Sequence, residues 1–433
     1  MKFLFDHCLI DQAKIVETAN QLTDYTRYLN QATQDKNYET DESSMNLPFD
    51  EDIKKHVEQV KQEKVSSKLK YFINIGIGGS AFGARAVYDL LYGYFDSLEP
   101  ERFPKMFFAD TIDPEFLTKL TNFLKDKVKD PEELLVNLIS KSGSTTESIA
   151  NIGFLETVIA QFNERVVVTT NKDSPLWEKS QELQISSLAI PDKVGGRYSV
   201  LSPVGLFPLA CVGIDIEGLL EGARQMRDHC VVQDPWENSA LFSAALLFLH
   251  YQNGRDINDQ FFFHSEMESL GKWYRQLLGE SLGKGKDLDG KEVHAGLMPS
   301  ISIGSTDLHS VVQLYFAKSS DKFTNFIWTE KNQGNVFVPD DAKFNSLTPH
   351  ISGKSARDIM AAILQAVKSE YKNHAMPFTE TVLSDLTPKS IGEWMQFKML
   401  ETMYLGKLLN VNAFDQPEVE AYKVETEKIL TGG

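Results

Sequence analysis

The chain has 433 residues, of which 42% are hydrophobic, and this is enough to build more than one packed unit. Its 44 basic and 61 acidic residues give a net charge of -17, which disfavours broad contact with nucleic acid or an anionic membrane. The three cysteines are widely spaced, so they suggest neither a disulfide framework nor a zinc site. With no signal peptide and no apolar run of about 18 residues, we expect a cytoplasmic protein without membrane contact.

The first 66 residues mix amphipathic spacing with a charged, polar middle, "NQATQDKNYETDESS". No separate hydrophobic core is evident in them. We therefore predict a helical N-terminal extension, residues 1–66, that packs on the rest of the protein.

Short apolar runs then alternate with segments of helical length. The first set of runs is "YFINIGI" (71–77), "KMFFAD" (105–110), "ELLVNLI" (133–139) and "RVVVTT" (165–170). Such alternation is typical of a doubly wound parallel sheet, in which helices connect neighbouring strands. We predict a first α/β domain over residues 67–215.

A second set of candidate strands follows: "DQFFFHS" (259–265), "KFTNFIWTE" (322–330) and "FTETVLSD" (378–385). Amphipathic segments separate them, which predicts a second doubly wound domain over residues 216–410. The chain then reads as a helical arm, residues 411–433, that begins near "NAFDQPE".

Glycines end the first predicted strand in "INIGIGGSAFGAR", and Ser80 opens a helix directly after Gly79. Backbone N–H groups at such a turn, together with the positive end of the helix, favour an anion. A tight turn without a ligand is the plainer interpretation.

The same turn also satisfies a relaxed dinucleotide-binding pattern, Gly76-x-Gly78-x-x-Ala81. Asp110, at the end of the next predicted strand, lies where an acid would bind a ribose. This pattern leaves a nucleotide-dependent dehydrogenase as an alternative.

A dense group of hydroxyls follows the third predicted strand in "SKSGSTTES". Capping the next helix requires one hydroxyl, whereas this loop has five and a lysine. A phosphate needs several short hydrogen bonds, a positive charge and bare amides, and no G-x-x-x-x-G-K-[ST] loop occurs in the chain. The loop therefore predicts a monophosphate site.

Four more side chains are candidates, and each has a plainer interpretation. Arg197 follows two glycines and presents a fork to an oxyanion or to solvent. Glu280 lies at a glycine-bounded helix end, where most glutamates are solvated. His309 begins an amphipathic helix and fits a cap or a core histidine, and Lys423 fits an exposed helical lysine.

In order along residues 73–423, six motifs resemble the glucose-6-phosphate isomerase family, also called phosphoglucose isomerase. They are "IGIGGSAFGAR", "SKSGSTTES", "DKVGGRYSVLSPVGL", "GESLGKG", "DLHSVVQLY" and "FDQPEVEAYK". The resemblance implies two sugar-isomerase (SIS-type) α/β domains with a C-terminal helical arm. It also implies a homodimer whose active site is completed by the partner's histidine, and no cofactor or metal.

The resemblance assigns roles to the candidate residues. The substrate phosphate would bind to the hydroxyl loop through Ser140, Lys141, Ser142 and Thr145. The turn at Gly79 and Ser80 would line the sugar. The residues implied in catalysis are Glu280 as the base, Arg197, and the ring-opening pair His309 and Lys423, with Gln416 close by. Residues 281–308 depart from the family because this glycine-rich, charged stretch is longer than in many bacterial relatives, and we assign no element to it.

The implied activity is the reversible isomerisation of D-glucose 6-phosphate and D-fructose 6-phosphate in glycolysis and gluconeogenesis. Glu280 would carry a proton between C1 and C2 through a cis-enediol. Arg197 would stabilise the enediolate by about 3 to 4 kcal/mol, as a single oxyanion-hole donor does. The remaining alternative is a regulatory module that binds sugar phosphates without catalysis.

Overall fold

The computed structural model describes residues 1–318, 320–331, 334 and 336–432. The strands are β1 Lys2–His7, β2 Tyr71–Ile75, β3 Lys105–Ala109, β4 Leu134–Ile139, β5 Val166–Thr170, β6 Ser186–Ala189, β7 Ile257–Phe262, β8 Lys284–Lys286, β9 Glu292–Ala295, β10 Met298–Ile303, β11 Lys322–Thr329 and β12 Phe378–Leu383.

The helices connect these strands and cover both sheets. They are α1 Gln12–Asn20, α2 Thr23–Ala32, α3 Glu51–Lys64, α4 Gly79–Leu91, α5 Pro114–Lys127, α6 Thr146–Glu156, α7 Phe162–Arg165, α8 Pro175–Glu182, α9 Pro203–Cys211, α10 Ile216–His229, α11 Ser239–Gln252, α12 Glu268–Leu282, α13 Val312–Ala317, α14 Ala356–Asn373, α15 Pro388–Leu408 and α16 Glu420–Thr431. Within the described residues, no helix combines the length and apolarity needed to cross a membrane.

The first sheet has the order β3-β2-β4-β5-β6, and all of its neighbouring strands are parallel. Its central strands are buried along their whole length, as expected when helices cover both faces of a parallel sheet. The doubly wound fold predicted from the apolar runs is confirmed. The edge strand β6 escaped prediction because it is short and begins with two serines.

The second sheet has the order β1-β12-β11-β7-β10, in which β7, β10, β11 and β12 run parallel. β10 comes from the glycine-rich stretch to which the sequence assigned no element. The strand predicted at residues 259–265 lies slightly earlier, at Ile257–Phe262. A second parallel α/β unit is confirmed, and the boundaries at residues 66, 215 and 410 stay a prediction.

The N-terminal extension is not helical throughout, and this is a correction. Residues Lys2–His7 form β1, which pairs antiparallel with β12 at the edge of the second sheet. The alternation of side chains explains the strand: Phe3 packs on Phe397 at 5.8 Å between ring centroids, and Phe5 packs on Phe242 at 4.4 Å. The remainder of the extension is mostly helical, as α1, α2, a 3-10 helix at Asp41–Phe49, and α3.

A buried polar cluster anchors α12, the helix that ends beside the candidate site. The Tyr274 hydroxyl lies 3.3 Å from Oε2 of Glu401 and accepts a hydrogen bond from Asn258 at 2.8 Å. Glu401 in turn pairs with Lys398 at 3.0 Å, and both side chains are almost completely buried. Because a buried polar network is costly when only partly satisfied, these contacts specify one position for α12.

The buried His250 predicts a loss of stability in acid. Its Nε2 lies 2.9 Å from the carbonyl oxygen of Cys8, its ring stacks on Phe323, and burial lowers its pKa to about 4. As the pH falls from 6.5 to 4, the unfolded chain takes up a proton that the folded chain refuses. The free energy of unfolding therefore falls by about 3 kcal/mol over that range through this group and no further below it.

Urea unfolding at pH 7, 5.5 and 4.5 checks this prediction. The destabilisation caused by His250→Gln, measured against the unmodified chain, should shrink as the pH falls. Substitution of the exposed His56 by Gln should leave the pH dependence as it is. A difference that stays constant over this range would contradict the prediction.

Candidate active site

Two glycine turns meet backbone to backbone beneath the site. A Cβ atom built on Gly79 would lie 2.2 Å from the carbonyl carbon of Gly196, so the first turn of α4 contacts this glycine directly. Asn74 holds the same turn by donating to the carbonyl oxygen of Ser80 at 3.1 Å. The contact brings the "GIGGS" turn against the 3-10 helix Gly196–Tyr198, which carries Arg197. Glycine is required at position 79 because any side chain would separate the two turns.

Arg197 is the hub of the site and is 2% exposed. Its Nη1 donates to Oε1 of Gln416 at 2.9 Å and to Oε2 of Glu280 at 3.4 Å. Its Nε donates to Oγ of Ser281 at 2.8 Å. Its Nη2 donates to the carbonyl oxygens of Ala413 and Asp415, at 2.7 and 3.0 Å. The guanidinium thus contacts two other predicted site residues, Glu280 and Gln416, and connects α12 to the segment before α16.

Glu280 lies in the last turn of α12, and its carboxylate is partly open to solvent, at 36% side-chain exposure. Oε2 faces Arg197, and Oε1 accepts a hydrogen bond from Nε2 of Gln276 at 3.1 Å. A carboxylate held on both oxygens and still reached by solvent is suited to proton transfer.

Gln276 is a site residue that the sequence reasoning missed. It lies one helical turn before Glu280, and its Nε2 is 3.0 Å from the position of a Cβ atom on Gly78. Its Oε1 is buried without a hydrogen-bond partner among the described residues. The spacing of four residues on α12 was the available signal, because such residues share a helix face.

Lys284 is a second missed residue, and it holds the end of α12. Its Nζ donates to the carbonyl oxygens of Glu280 and Ser281, at 2.6 and 3.1 Å, and lies 3.7 Å from Oδ1 of Asp415. Burial lowers the pKa of this lysine. A cation at the C-terminal end of a helix satisfies its last carbonyls, so Lys284 helps to fix the backbone of Glu280.

The hydroxyl loop turns around Ser140. Its Oγ accepts the N–H of Gly143 at 3.1 Å and lies 2.8 Å from Oγ1 of Thr145. Within the described part of the chain, Thr145 makes no side-chain bond to the first turn of α6. The Thr145 hydroxyl is turned toward the loop instead, which leaves the first-turn N–H groups of α6 without a side-chain cap. Such groups are suited to an anion.

Gly143 and Lys141 complete the loop. Gly143 has φ +77°, and a Cβ there would lie 2.9 Å from the backbone nitrogen of Leu176, so this turn needs glycine. Lys141 is half-buried, and burial lowers its pKa. A bound anion would favour the charged form of this lysine.

The two turns are neighbours at one edge of the first sheet. β2 and β4 pair in register, with Ile75 opposite Leu138, so Gly76–Ser80 and Ser140–Thr145 follow adjacent strand ends. The C-terminal edge of an open parallel sheet is where ligands bind. The hydroxyl loop and the Arg197 hub therefore flank the Gly79 turn.

Two predicted residues are not brought to this cluster. His309 ends the 3-10 helix Thr306–His309 with an exposed side chain. Lys423 lies on α16, whose residues are all exposed, and its Nζ pairs with Oε1 of Glu420 at 2.7 Å. No contact among the described residues joins either side chain to Glu280.

The dinucleotide pattern finds little support in the geometry. Asp110, the candidate ribose ligand, pairs with Arg85 at 2.8 Å. That guanidinium also lies 4.5 Å above the ring of Phe108. The carboxylate thus already has a cationic partner within the protein.

Comparisons with known proteins show the family of this chain. The family model described as "Phosphoglucose isomerase" matches residues 36–432. A glucose-6-phosphate isomerase of Carboxydothermus hydrogenoformans is 34% identical over 376 residues, which cover 85% of this chain and 80% of the relative. Another from Thermus thermophilus is 33% identical over 394 residues and 90% of both chains.

Solved structures share the fold. A hypothetical protein of Thermus thermophilus superposes with a TM-score of 0.88, at 29% identity and over 99% of both chains. A glucose-6-phosphate isomerase of Chlamydia trachomatis superposes with a TM-score of 0.76, at 21% identity, over 96% of this chain and 86% of that one. From the family match over nearly its whole length, this chain belongs to the phosphoglucose isomerase family.

Proposed function

We propose that this chain interconverts D-glucose 6-phosphate and D-fructose 6-phosphate, in glycolysis and gluconeogenesis, without a cofactor. The observation that carries the proposal is the Glu280 carboxylate, which Arg197 and Gln276 orient beside the Gly79 turn. The adjoining hydroxyl loop supports a phosphorylated substrate. Binding of the phosphate there leaves the other end of an open-chain sugar to reach the carboxylate.

Glu280 acts as the base in the isomerisation. The open aldose gives its C2 proton to the carboxylate, and the carbonyl oxygen at C1 takes on negative charge as the enediolate forms. A proton then passes from the hydroxyl at C2 to the oxygen at C1, and return of the carbon-bound proton to C1 gives the ketose, so one carboxylate serves both directions. Nη1 of Arg197 lies 3.4 Å from Oε2 of this carboxylate, and it stabilises the developing charge.

Lys141 provides the positive charge for the substrate phosphate. Lys141→Met should raise the KM for fructose 6-phosphate by roughly tenfold or more, because a hydrogen bond to a charged group is lost. It should also weaken inhibition by inorganic phosphate, and steady-state kinetics measure both. Lys172→Met, at an exposed position after β5, is the control. If neither constant changes, the loop does not hold the phosphate.

Ring opening requires a second pair of groups, and we assign it to His309 and Lys423. Because His309 is exposed and remote from Glu280 in the contacts of a single chain, we propose a homodimer in which His309 reaches the partner's site. Exposed apolar side chains support an interface: Val336, Phe337, Phe344 and Leu347 are 58 to 78% exposed. Lys423 would reach the site by movement of α16.

Mixing two variants of strongly reduced activity tests this shared site. Glu280→Gln and His309→Ala chains, unfolded together and refolded, should recover about one quarter of the activity of the unmodified protein. Half of the dimers are then hybrids, and each hybrid has one intact site of two. The recovered rate is read against each variant refolded alone. Failure to recover activity, although hybrid dimers form, would place His309 in the site of its own chain.

The proposed activity is tested with the unmodified protein, fructose 6-phosphate and a chelator, without added nucleotide. Turnover to glucose 6-phosphate is the expected result. Binding of the sugar phosphate without turnover would instead favour the regulatory module. We also propose a cytoplasmic location, since the three cysteines are free and buried, as suits a reducing compartment.

A further inference from the structure

One buried carboxylate has no part in the proposed reaction. Asp259 lies on β7 and is 0% exposed. Its Oδ1 accepts hydrogen bonds from the Ser302 hydroxyl at 2.9 Å and the Tyr315 hydroxyl at 3.4 Å. Its Oδ2 has no hydrogen-bond partner among the described residues, and burial raises its pKa to about 6. A group of this kind needs an explanation, since burying it opposes folding.

The carboxylate belongs to a polar cluster under α13. The Tyr315 hydroxyl also lies 3.0 Å from Oγ of Ser302 and 3.2 Å from Oγ of Ser300. Nζ of Lys322, on β11, lies 4.9 Å from the centre of the Tyr315 ring. From α14, Tyr371 faces the same region and its hydroxyl lies 3.3 Å from Oγ1 of Thr324. The surrounding layer is otherwise apolar, with Phe261, Phe263, Val312, Phe326 and Leu364 among its members.

This cluster is linked to His309 by a short stretch of chain. β10 ends at Ile303, the 3-10 helix Thr306–His309 follows, and α13 begins at Val312. Asp307 fixes the near end of the stretch, because its carboxylate accepts the N–H of Ile303 and the hydroxyl of Ser310, both at 2.7 Å.

Tyr315 fixes the far end. Its hydroxyl is the polar link from α13 to β7 and β10, and its ring packs in the layer between α13 and the sheet. His309 itself is exposed, so its position depends on these two ends of the segment.

We propose that Asp259, acting through the Tyr315 hydroxyl, is a positioning residue for the segment that carries His309. The proposal rests on the proposed function, in which His309 opens the sugar ring. It also explains why a carboxylate lies in an otherwise apolar layer. The directional bonds to Ser302 and Tyr315 select one placement of α13, which apolar packing alone specifies less sharply.

Tyr315→Phe removes the hydroxyl and keeps the ring. It should lower the kcat for cyclic fructose 6-phosphate on the order of tenfold, because small displacements of a reacting group are costly. The affinity for an acyclic five-carbon aldonate phosphate, which resembles the enediolate, should stay within about twofold since no ring has to open. Tyr371→Phe, which removes a hydroxyl from the same layer, should change neither quantity.

A double-mutant cycle distinguishes positioning from general damage. On a His309→Ala background, Tyr315→Phe should have no further effect on kcat, because the group that it positions is absent. Asp259→Ala should reproduce the loss, and Asp259→Asn should largely restore activity, since an amide oxygen accepts the same two hydrogen bonds. An undiminished effect on the His309→Ala background, or unchanged turnover by Tyr315→Phe, would overturn the proposal.

Hydrogen exchange gives a readout that does not depend on turnover. Amides in residues 304–317 should exchange faster in Tyr315→Phe than in the unmodified chain, with Tyr371→Phe unchanged. If the unmodified chain does not isomerise the sugar, the proposed function fails, and exchange alone decides whether Asp259 and Tyr315 hold this segment. Unchanged exchange in residues 304–317 would overturn the positioning role in either case.

Discussion

Glu280→Gln should lower the kcat for fructose 6-phosphate by about 100- to 10,000-fold, the range that a general base contributes. The amide keeps the size of the side chain, and its one oxygen still accepts the hydrogen bond from Arg197 while its nitrogen faces Gln276, so the fold should persist. It has no basic oxygen to take the proton from C1 of this ketose. Because the hydroxyl loop is untouched, the affinity for an acyclic sugar-phosphate analogue should fall far less than kcat.

Glu268→Gln is the matched control for this prediction. Glu268 begins the same helix, where it is exposed and pairs with Lys272. That substitution should leave kcat within about twofold, as expected for a weak surface ion pair. Loss of exchange of the C1 proton of fructose 6-phosphate with solvent deuterium in Glu280→Gln would identify the step. Rapid exchange in that variant would show that another group is the base.

Arg197→Lys should damage both catalysis and stability. Lysine keeps the charge but replaces three donor nitrogens by one, so most acceptors around Arg197 lose their hydrogen bond. We expect kcat/KM to fall by about 100- to 1,000-fold. We expect the free energy of unfolding to fall by about 3 kcal/mol, because buried carbonyl oxygens are left unpaired.

Steady-state kinetics and urea unfolding of the same preparation separate these effects. Arg275→Lys, at an exposed position on α12, should change neither. A variant that is destabilised and yet keeps the full kcat/KM would show that Arg197 serves the fold alone. A variant that stays stable and loses activity would show that Arg197 serves the reaction alone.

The first sheet was accessible to sequence reasoning because each of its central strands is a local apolar run that ends in a distinctive turn. "ELLVNLI" leads directly to the hydroxyl loop, so the sequence predicted this strand and the candidate site residues after it together. β1 was not accessible in the same way, because its partner strand lies near the other end of the chain. β10 reads "MPSISI", whose proline and serines lack the apolar run of a central parallel strand.

The site residues show the same contrast between local sequence patterns and contacts made by distant parts of the chain. The residue types of Arg197, Glu280 and Gln416 could be read from motifs, and the structure brings these three side chains together. The bonds from Arg197 to the carbonyl oxygens of Ala413 and Asp415 leave no signal in residue type, since every residue has a carbonyl. The reach of His309 and Lys423 depends on a partner chain or a movement, and both roles stay predictions.

The antiparallel pairing of β1 with β12 sets an order of events during synthesis. The strands of the first sheet lie within residues 71–189 and can pair as soon as that stretch has left the ribosome. The first strand of the chain must wait for residue 383, which at about 5 to 20 residues per second is roughly 20 to 80 s. During that interval Phe3 and Phe5 have no sheet to join, so the nascent N-terminus is a candidate client for a chaperone that binds apolar segments.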